Sequence, residues 1–143
     1  MPAGMQFSGM NGRRTMNQSE LIKRVGTSMY QQINNIGYAT VVQTLMDLQI
    51  LSKEDYERWR NGQVPYLEKV CHINLKKLVS VLNEMKRYAA KNDLKPSYTF
   101  YKQWGRKNKS TVQLRFSKTG NEYIEKLYAT HYVSRNTIKE TRD

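Results

Sequence analysis

Residues 74–104 read NLKKLVSVLNEMKRYAAKNDLKPSYTFYKQW, and the hydrophobic period changes inside them. From Asn74 to Lys91, Leu75, Leu78, Val79, Leu82, Met85 and Ala89 recur at helical spacing. Lys76, Lys77, Asn83, Glu84, Arg87 and Lys91 fall on the other side. This is the pattern of an amphipathic helix, and Lys95-Pro96 is expected to close it. Beyond Pro96 the period drops to two: Tyr98, Phe100, Lys102 and Trp104 alternate with Thr99, Tyr101 and Gln103. Val112, Leu114 and Phe116 alternate with Thr111, Gln113 and Arg115 after the basic stretch 105–110, so 98–116 is expected to form a β-hairpin.

Working outward, three helices are expected upstream. Ser19 looks like the N-cap of the first, with Leu21, Ile22, Val25, Met29 and Ile33 on one face; Asn34 to Gly37 ends it. Residues 40–48 form the second, apolar on more than one side and therefore central. Ser52 caps the third, with Asp55 in the position of a capping-box acid, Tyr56 and Trp59 on one face, and Asn61-Gly62 as the left-handed stop. Pro65 suits the start of another helical turn. Downstream, a last helix is expected from Glu122 to about Tyr132. The polar leader 1–18 has too little apolar surface to offset its ordering entropy and is expected to be disordered. Residues 19–133 then form one globular domain and 134–143 a frayed tail. The expected class is α+β, mostly helical: helices, then a hairpin, then one more helix. Winged-helix domains share that element order.

The charge is concentrated. Residues 86–118 carry ten Lys/Arg against Asp93 alone, a net +9 of the chain's +12. Residues 1–30 supply the other +3, and 31–85 and 119–143 each sum to zero. Such a block repels itself unless it meets a polyanion or an acidic surface. Tyr98, Phe100, Tyr101, Trp104 and Phe116 lie among these charges. These aromatics have two readings: core packing is the expected one, and the alternative packs one strand face on the helices and leaves the other, Tyr101 included, free to stack on an unpaired base. Nucleic acid is the expected partner, DNA ahead of RNA, in a regulatory or accessory role. The candidate phosphate contacts are Lys86, Arg87, Lys91, Lys102, Arg106, Lys107, Lys109 and Arg115. The alternative is an adaptor or inhibitor whose basic face docks an acidic protein, and the apolar second helix with Tyr56 and Trp59 would also suit a homodimer.

No apolar run approaches the roughly 20 residues of a membrane span, and the N-terminus lacks the apolar core of a secretory signal. A cytoplasmic protein without a membrane partner is expected. The single Cys71 cannot form an internal disulfide, and one Cys with His72 and His131 is too few for a structural zinc set. No metal or cofactor is expected. Phosphate-loop, dinucleotide-binding and HExxH patterns are missing. The third function class is an enzyme with His131 and neighbouring tyrosines, or a Cys71–His131 nucleophile pair; Cys71 sits between Val70 and Ile73 in an apolar stretch, the setting of a buried, inert thiol.

Two resemblances add expectations. Residues 51–75, with Trp59, Gly62, Pro65 and the run Leu67, Val70, Ile73, resemble the third helix and following turn of repressor-type helix-turn-helix domains. Leu48-Gln-Ile-Leu51 stands where that family has a short helix and a Gly-containing turn. The resemblance implies that Lys53, Arg58 and Arg60 face DNA. Residues 38–133 also resemble an uncharacterised bacterial family of small basic proteins, on WRNGQVPYLE (59–68), LKPS (94–97) and YATHYV (128–133); this implies no activity.

Replacing Arg106, Lys107 and Lys109 together by Ala is expected to weaken oligonucleotide binding by a few kcal/mol at most and to flatten its salt dependence by up to three phosphate contacts. An unchanged slope in a salt titration would take the hairpin tip out of the interface.

Overall fold

The computed structural model describes residues 16–105 and 112–135. Most of the expected leader, the hairpin tip with Arg106, Lys107 and Lys109, and the tail from 136 lie outside the described residues.

Helix α1, Gln18–Ile36, is capped by Asn17 rather than Ser19, because the Asn17 Oδ1 accepts the Glu20 N–H at 2.8 Å. The earlier start places Met16 before the cap and Leu21 four residues into the helix. Both are buried, the placement of a hydrophobic staple. Gly37, at φ 85°, ends the helix and leads into strand β1, Tyr38–Thr40. Thr40 caps α2, Val41–Asp47, and Ser52 caps α3, Lys53–Arg60, with its Oγ accepting the Asp55 N–H at 3.0 Å. A buried polar relay ties α1 to α2: Gln32 Nε2 donates to Ser28 Oγ and Thr44 Oγ1, and Gln32 Oε1 accepts the Thr40 N–H. Each polar atom of that relay is partnered, so its burial carries little desolvation penalty.

Pro65 does not start an α-helix. The next helical piece is a single 3-10 turn, Leu67–Val70, before α4, Leu75–Lys91, which Asn74 caps. The buried side of α4 is Leu78, Val81, Leu82, Met85 and Ala89, packed on α1. Leu75 is exposed, in the first turn where the helix runs past the core, and Glu84 turns inward while paired with Arg87 at 3.1 Å. The helix closes at Asn92 and Asp93, the latter at φ 56°, before the expected Lys95-Pro96. Pro96 instead lies within strand β2, Leu94–Tyr98.

The last helix, α5, is Glu122–Ala129, and the chain then straightens into β3, Thr130–Ser134. The expected helix end near Tyr132 is corrected here, and Ser134, the first residue of the expected tail, is the last of β3. β3 is the central strand of an antiparallel sheet ordered β1-β3-β2, with Thr40 and Ser97 both opposite His131. A segment with β-branched Thr130 and Val133 and aromatic Tyr132 fits a strand once partners exist on both sides. β2 is an edge strand, which is why Pro96 is accommodated.

Residues 98–116 do double back. Gln103 N–H donates to Val112 O at 2.8 Å and Leu114 N–H to Tyr101 O at 2.7 Å, flanking one bridge between Lys102 and Gln113. The regular ladder is elsewhere because other partners take up the return arm. The Arg115 carbonyl accepts from Trp59 Nε1 at 2.8 Å and from the Leu67 N–H, and the Phe116 carbonyl from the Glu68 N–H. The Glu125 carboxylate accepts the N–H groups of Phe116 and Ser117 and the Ser117 hydroxyl. Glu68 accepts the Lys118 N–H and the Tyr128 hydroxyl. Phe116 thereby lies flat on Tyr128, centroids 5.3 Å apart at 3°, with Trp59 and Tyr101 completing an aromatic core. The class is α+β, as the change of period indicates.

Glu125→Ala leaves the Phe116 and Ser117 amides without their acceptor and is expected to destabilise the fold by about 3 kcal/mol in urea unfolding. Glu122→Ala, at the start of the same helix, is expected to change stability by no more than about 0.5 kcal/mol. Equal effects from the two would show that the carboxylate does not hold the return arm.

Candidate nucleic-acid interface

Helix α4 presents Lys86, Arg87 and Lys91 to solvent along its outer side, and Lys102 is exposed on the outgoing arm of 98–116. Among the described residues, Lys86, Lys91 and Lys102 make no ion pair, whereas Arg87 is bound to Glu84. Arg115 is exposed but engaged: its Nε donates to Ser117 O, its Nη2 to Lys118 O, and its guanidinium lies 5.9 Å from the centre of the Tyr66 ring. It braces a turn and has fewer donors left for a phosphate. Sequence reasoning missed Lys126, on α5, which joins Lys86 across the end of the sheet. Lys126 lies outside the basic block in sequence, so only the tertiary arrangement brings the two together.

Of the two readings of the hairpin aromatics, core packing holds for Tyr101, which is packed on Trp59 and Phe116 with its hydroxyl 3.1 Å from His131 Nε2. Alternation along the strand then turns its neighbours outward. Tyr98 is 69% exposed, Phe100 53% and Trp104 41%, and Tyr123 on α5 is 58% exposed. Tyr98 and Tyr123 flank a groove of about 280 Å³ between α4, α5 and the sheet face that carries Leu94, Pro96 and Tyr132. Lys86 Nζ lies 5.9 Å from the Tyr123 ring centre and Lys126 Nζ 5.9 Å from that of Tyr98.

The helix-turn-helix likeness meets a different geometry at Arg60. Its guanidinium does not project outward. It is 4.7 Å from the Trp104 ring centre, 5.0 Å from Tyr101 and 5.9 Å from Tyr56, with Nη1 donating to the Tyr56 hydroxyl. Its Nε is buried without a hydrogen-bond partner, so cation–π attraction is what offsets the lost hydration. Lys53 is exposed, and Arg58 is paired with Asp55 at 2.9 Å. The segment expected to be an apolar helix after Pro65 is the 3-10 turn.

His131 is half-buried on the opposite face of the sheet from that groove. Tyr38 stacks on it at 5.5 Å and 17°, and Tyr101 bonds its Nε2. Burial lowers its pKa below the ordinary imidazole range, and burial pushes the Tyr101 phenol up to about 12, so both are neutral near pH 7. A broad concavity between α2 and α3, lined by Asp47, Lys53, Tyr56 and His72, does not include His131, nor does the groove beside Tyr98. Burial raises the Cys71 thiol to about 12, which leaves it protonated and without nucleophilic thiolate near neutrality. Among the described residues no group of three or more His, Cys, Asp or Glu side chains is placed to hold a metal ion, and no helix is long and apolar enough to cross a membrane.

Comparison with protein-family models, with curated proteins and with solved structures finds no match to this chain. The functional reading rests on the geometry of the chain itself.

The lowered pKa of His131 has a signed consequence. The folded state favours the neutral ring, so its contribution to stability is complete above the unfolded value of about 6.5 and falls as the pH drops through the lower folded value. Unfolding experiments between about pH 7.5 and 5 are expected to show His131→Gln gaining stability relative to the unsubstituted protein as the solution is acidified. A stability difference that is flat across that range would mean the ring titrates alike in both states.

Proposed function

We propose that this protein binds nucleic acid, DNA ahead of RNA, in a regulatory or accessory role without chemistry of its own. The contact surface is the outer side of α4, the arm 98–104 and the adjoining end of α5. One observation carries the reading: Tyr123 and Tyr98 stand exposed beside Lys86 and Lys126, Phe100 and Trp104 are exposed on the arm that carries Lys102, and none of these lysines makes an ion pair among the described residues. The nearby acids are already engaged. Glu84 holds Arg87, Asp93 holds Arg135, and Glu125 holds backbone amides, leaving Glu122 as the exposed carboxylate at the start of α5.

The chemistry suits a polyanion with stacking faces. Lysines neutralise phosphates and release counterions, and aromatic rings stack on bases. Arg106, Lys107 and Lys109, which lie outside the described residues, add three positive charges to the same basic stretch of sequence. An acidic protein would also answer the positive charge, but it gives the row of outward aromatic rings no specific role.

Fluorescence anisotropy with labelled duplex DNA, single-stranded DNA and RNA across a salt series tests this. Binding to at least one polymer is expected at about 50 mM salt, weakening steeply with added salt. No binding to any of the three at that salt would overturn the proposal and leave the basic surface to a protein partner.

A further inference from the structure

The groove between Tyr98 and Tyr123 has the features of a ligand site. Its lower walls are Ala89, Ala90, Leu94, Pro96 and Leu127, its floor is Thr130 and Tyr132, and Lys86 and Lys126 stand at its rim. At about 280 Å³ it lies at the lower limit of small-molecule sites, large enough for one flat ring system and too small for a duplex. The floor supplies the most telling group. Tyr132 lines the groove with its residue only 3% exposed, and its hydroxyl is not sealed from solvent, so it can exchange water for the polar edge of a ligand. The Thr130 hydroxyl, by contrast, is engaged with the Lys126 carbonyl at 2.7 Å.

We infer that this groove is a pocket for a single unpaired base of a nucleic-acid strand, an inference that rests on the nucleic-acid reading above. The base ring stacks against Tyr98 and Tyr123, its polar edge meets the Tyr132 hydroxyl, and the phosphates on either side fall to Lys86 and Lys126. Charge complementarity selects this occupant over an uncharged ring, because both rim groups are lysines that make no ion pair. Geometry selects an unpaired strand over a duplex, because a base in a duplex has its faces covered by its neighbours. α4 and the sheet fix the groove from two sides, so the site exists before the ligand arrives.

The test compares a labelled short oligothymidylate with an abasic strand of equal length, which keeps the phosphates and lacks the bases. Tyr98→Ala and Tyr123→Ala, both at exposed positions, are each expected to weaken oligothymidylate binding by about tenfold or more. Neither is expected to alter the weaker binding of the abasic strand. Tyr132→Phe keeps the ring and is expected to cost several-fold on the oligothymidylate alone. Tyr30→Ala, an exposed tyrosine on α1 away from the groove, is expected to change nothing. Salt-dependent binding that is indifferent to Tyr98, Tyr123 and Tyr132 would overturn the pocket while leaving the nucleic-acid function standing. Failure of the unsubstituted protein to bind either strand, duplex DNA or RNA would overturn both. Tighter binding of a labelled tyrosine-containing acidic peptide of equal charge, weakened by the same three variants, would overturn the base pocket in favour of a protein partner.

Discussion

Two carboxylates hold the return arm of the 98–118 excursion in place. Glu125 from α5 and Glu68 from the 3-10 turn accept the N–H groups of Phe116, Ser117 and Lys118, and the Trp59 indole closes on the Arg115 carbonyl. Hydrogen bonds to charged acceptors in a partly buried site are stronger than those between neutral groups. They substitute here for a sheet ladder that the arm does not form. Phe116 is then fixed against Tyr128 and Trp59, and the aromatic core forms around it. Without that anchor the excursion would keep the hydrogen bonds about the Lys102–Gln113 bridge and the backbone bonds of Arg115 and Phe116 to the 3-10 turn, with no side chain to hold the return arm on α5.

The outward aromatic surface follows from this constraint. Once Tyr101 is drawn in beside Trp59 and Phe116, strand alternation leaves Phe100 facing solvent. The same inward pull supplies ring faces for the Arg60 guanidinium, which sits among Tyr56, Tyr101 and Trp104. An arginine that the repressor-like pattern would aim at DNA therefore serves packing. The lysines of α4 and α5 have no such enclosure and keep their charge at the surface. The two kinds of cation differ because arginine is weakly hydrated and planar, whereas an ammonium group holds its water.

Residues 59–68, 94–97 and 128–133 occupy related places in the fold. Residues 59–68 supply Trp59, Arg60 and Glu68 to the aromatic core and its clamp. Residues 94–97 pair, as part of β2, with 130–133 of β3, which carries buried Tyr132, while buried Tyr128 ends α5 just before it. Much of each stretch is accounted for by packing: Trp59 and Tyr128 fill the core, and Gly62 stands at φ 79°. Tyr132 also lines the groove.

Local signals in the chain settled a good deal. The Ser52 cap, the Asn61-Gly62 stop, the second helix near 40–48 and the amphipathic 74–91 helix depend on neighbours within a few residues, and these were legible. The basic block 86–118 and its interleaved aromatic residues were legible as composition. Three features were decided only by the tertiary structure. Residues 130–134 became the central strand, because a short apolar segment following a helix has no period of its own until two other strands flank it. The aromatic alternation at 98–104 was visible, but which face turned inward depended on Trp59 and Phe116, distant in sequence. The groove joins Lys86 to Lys126 and Tyr98 to Tyr123, pairs separated by 40 and 25 positions respectively. Hydrophobic periodicity reports which residues share one face of one element, and it carries no information about which faces of separate elements will meet.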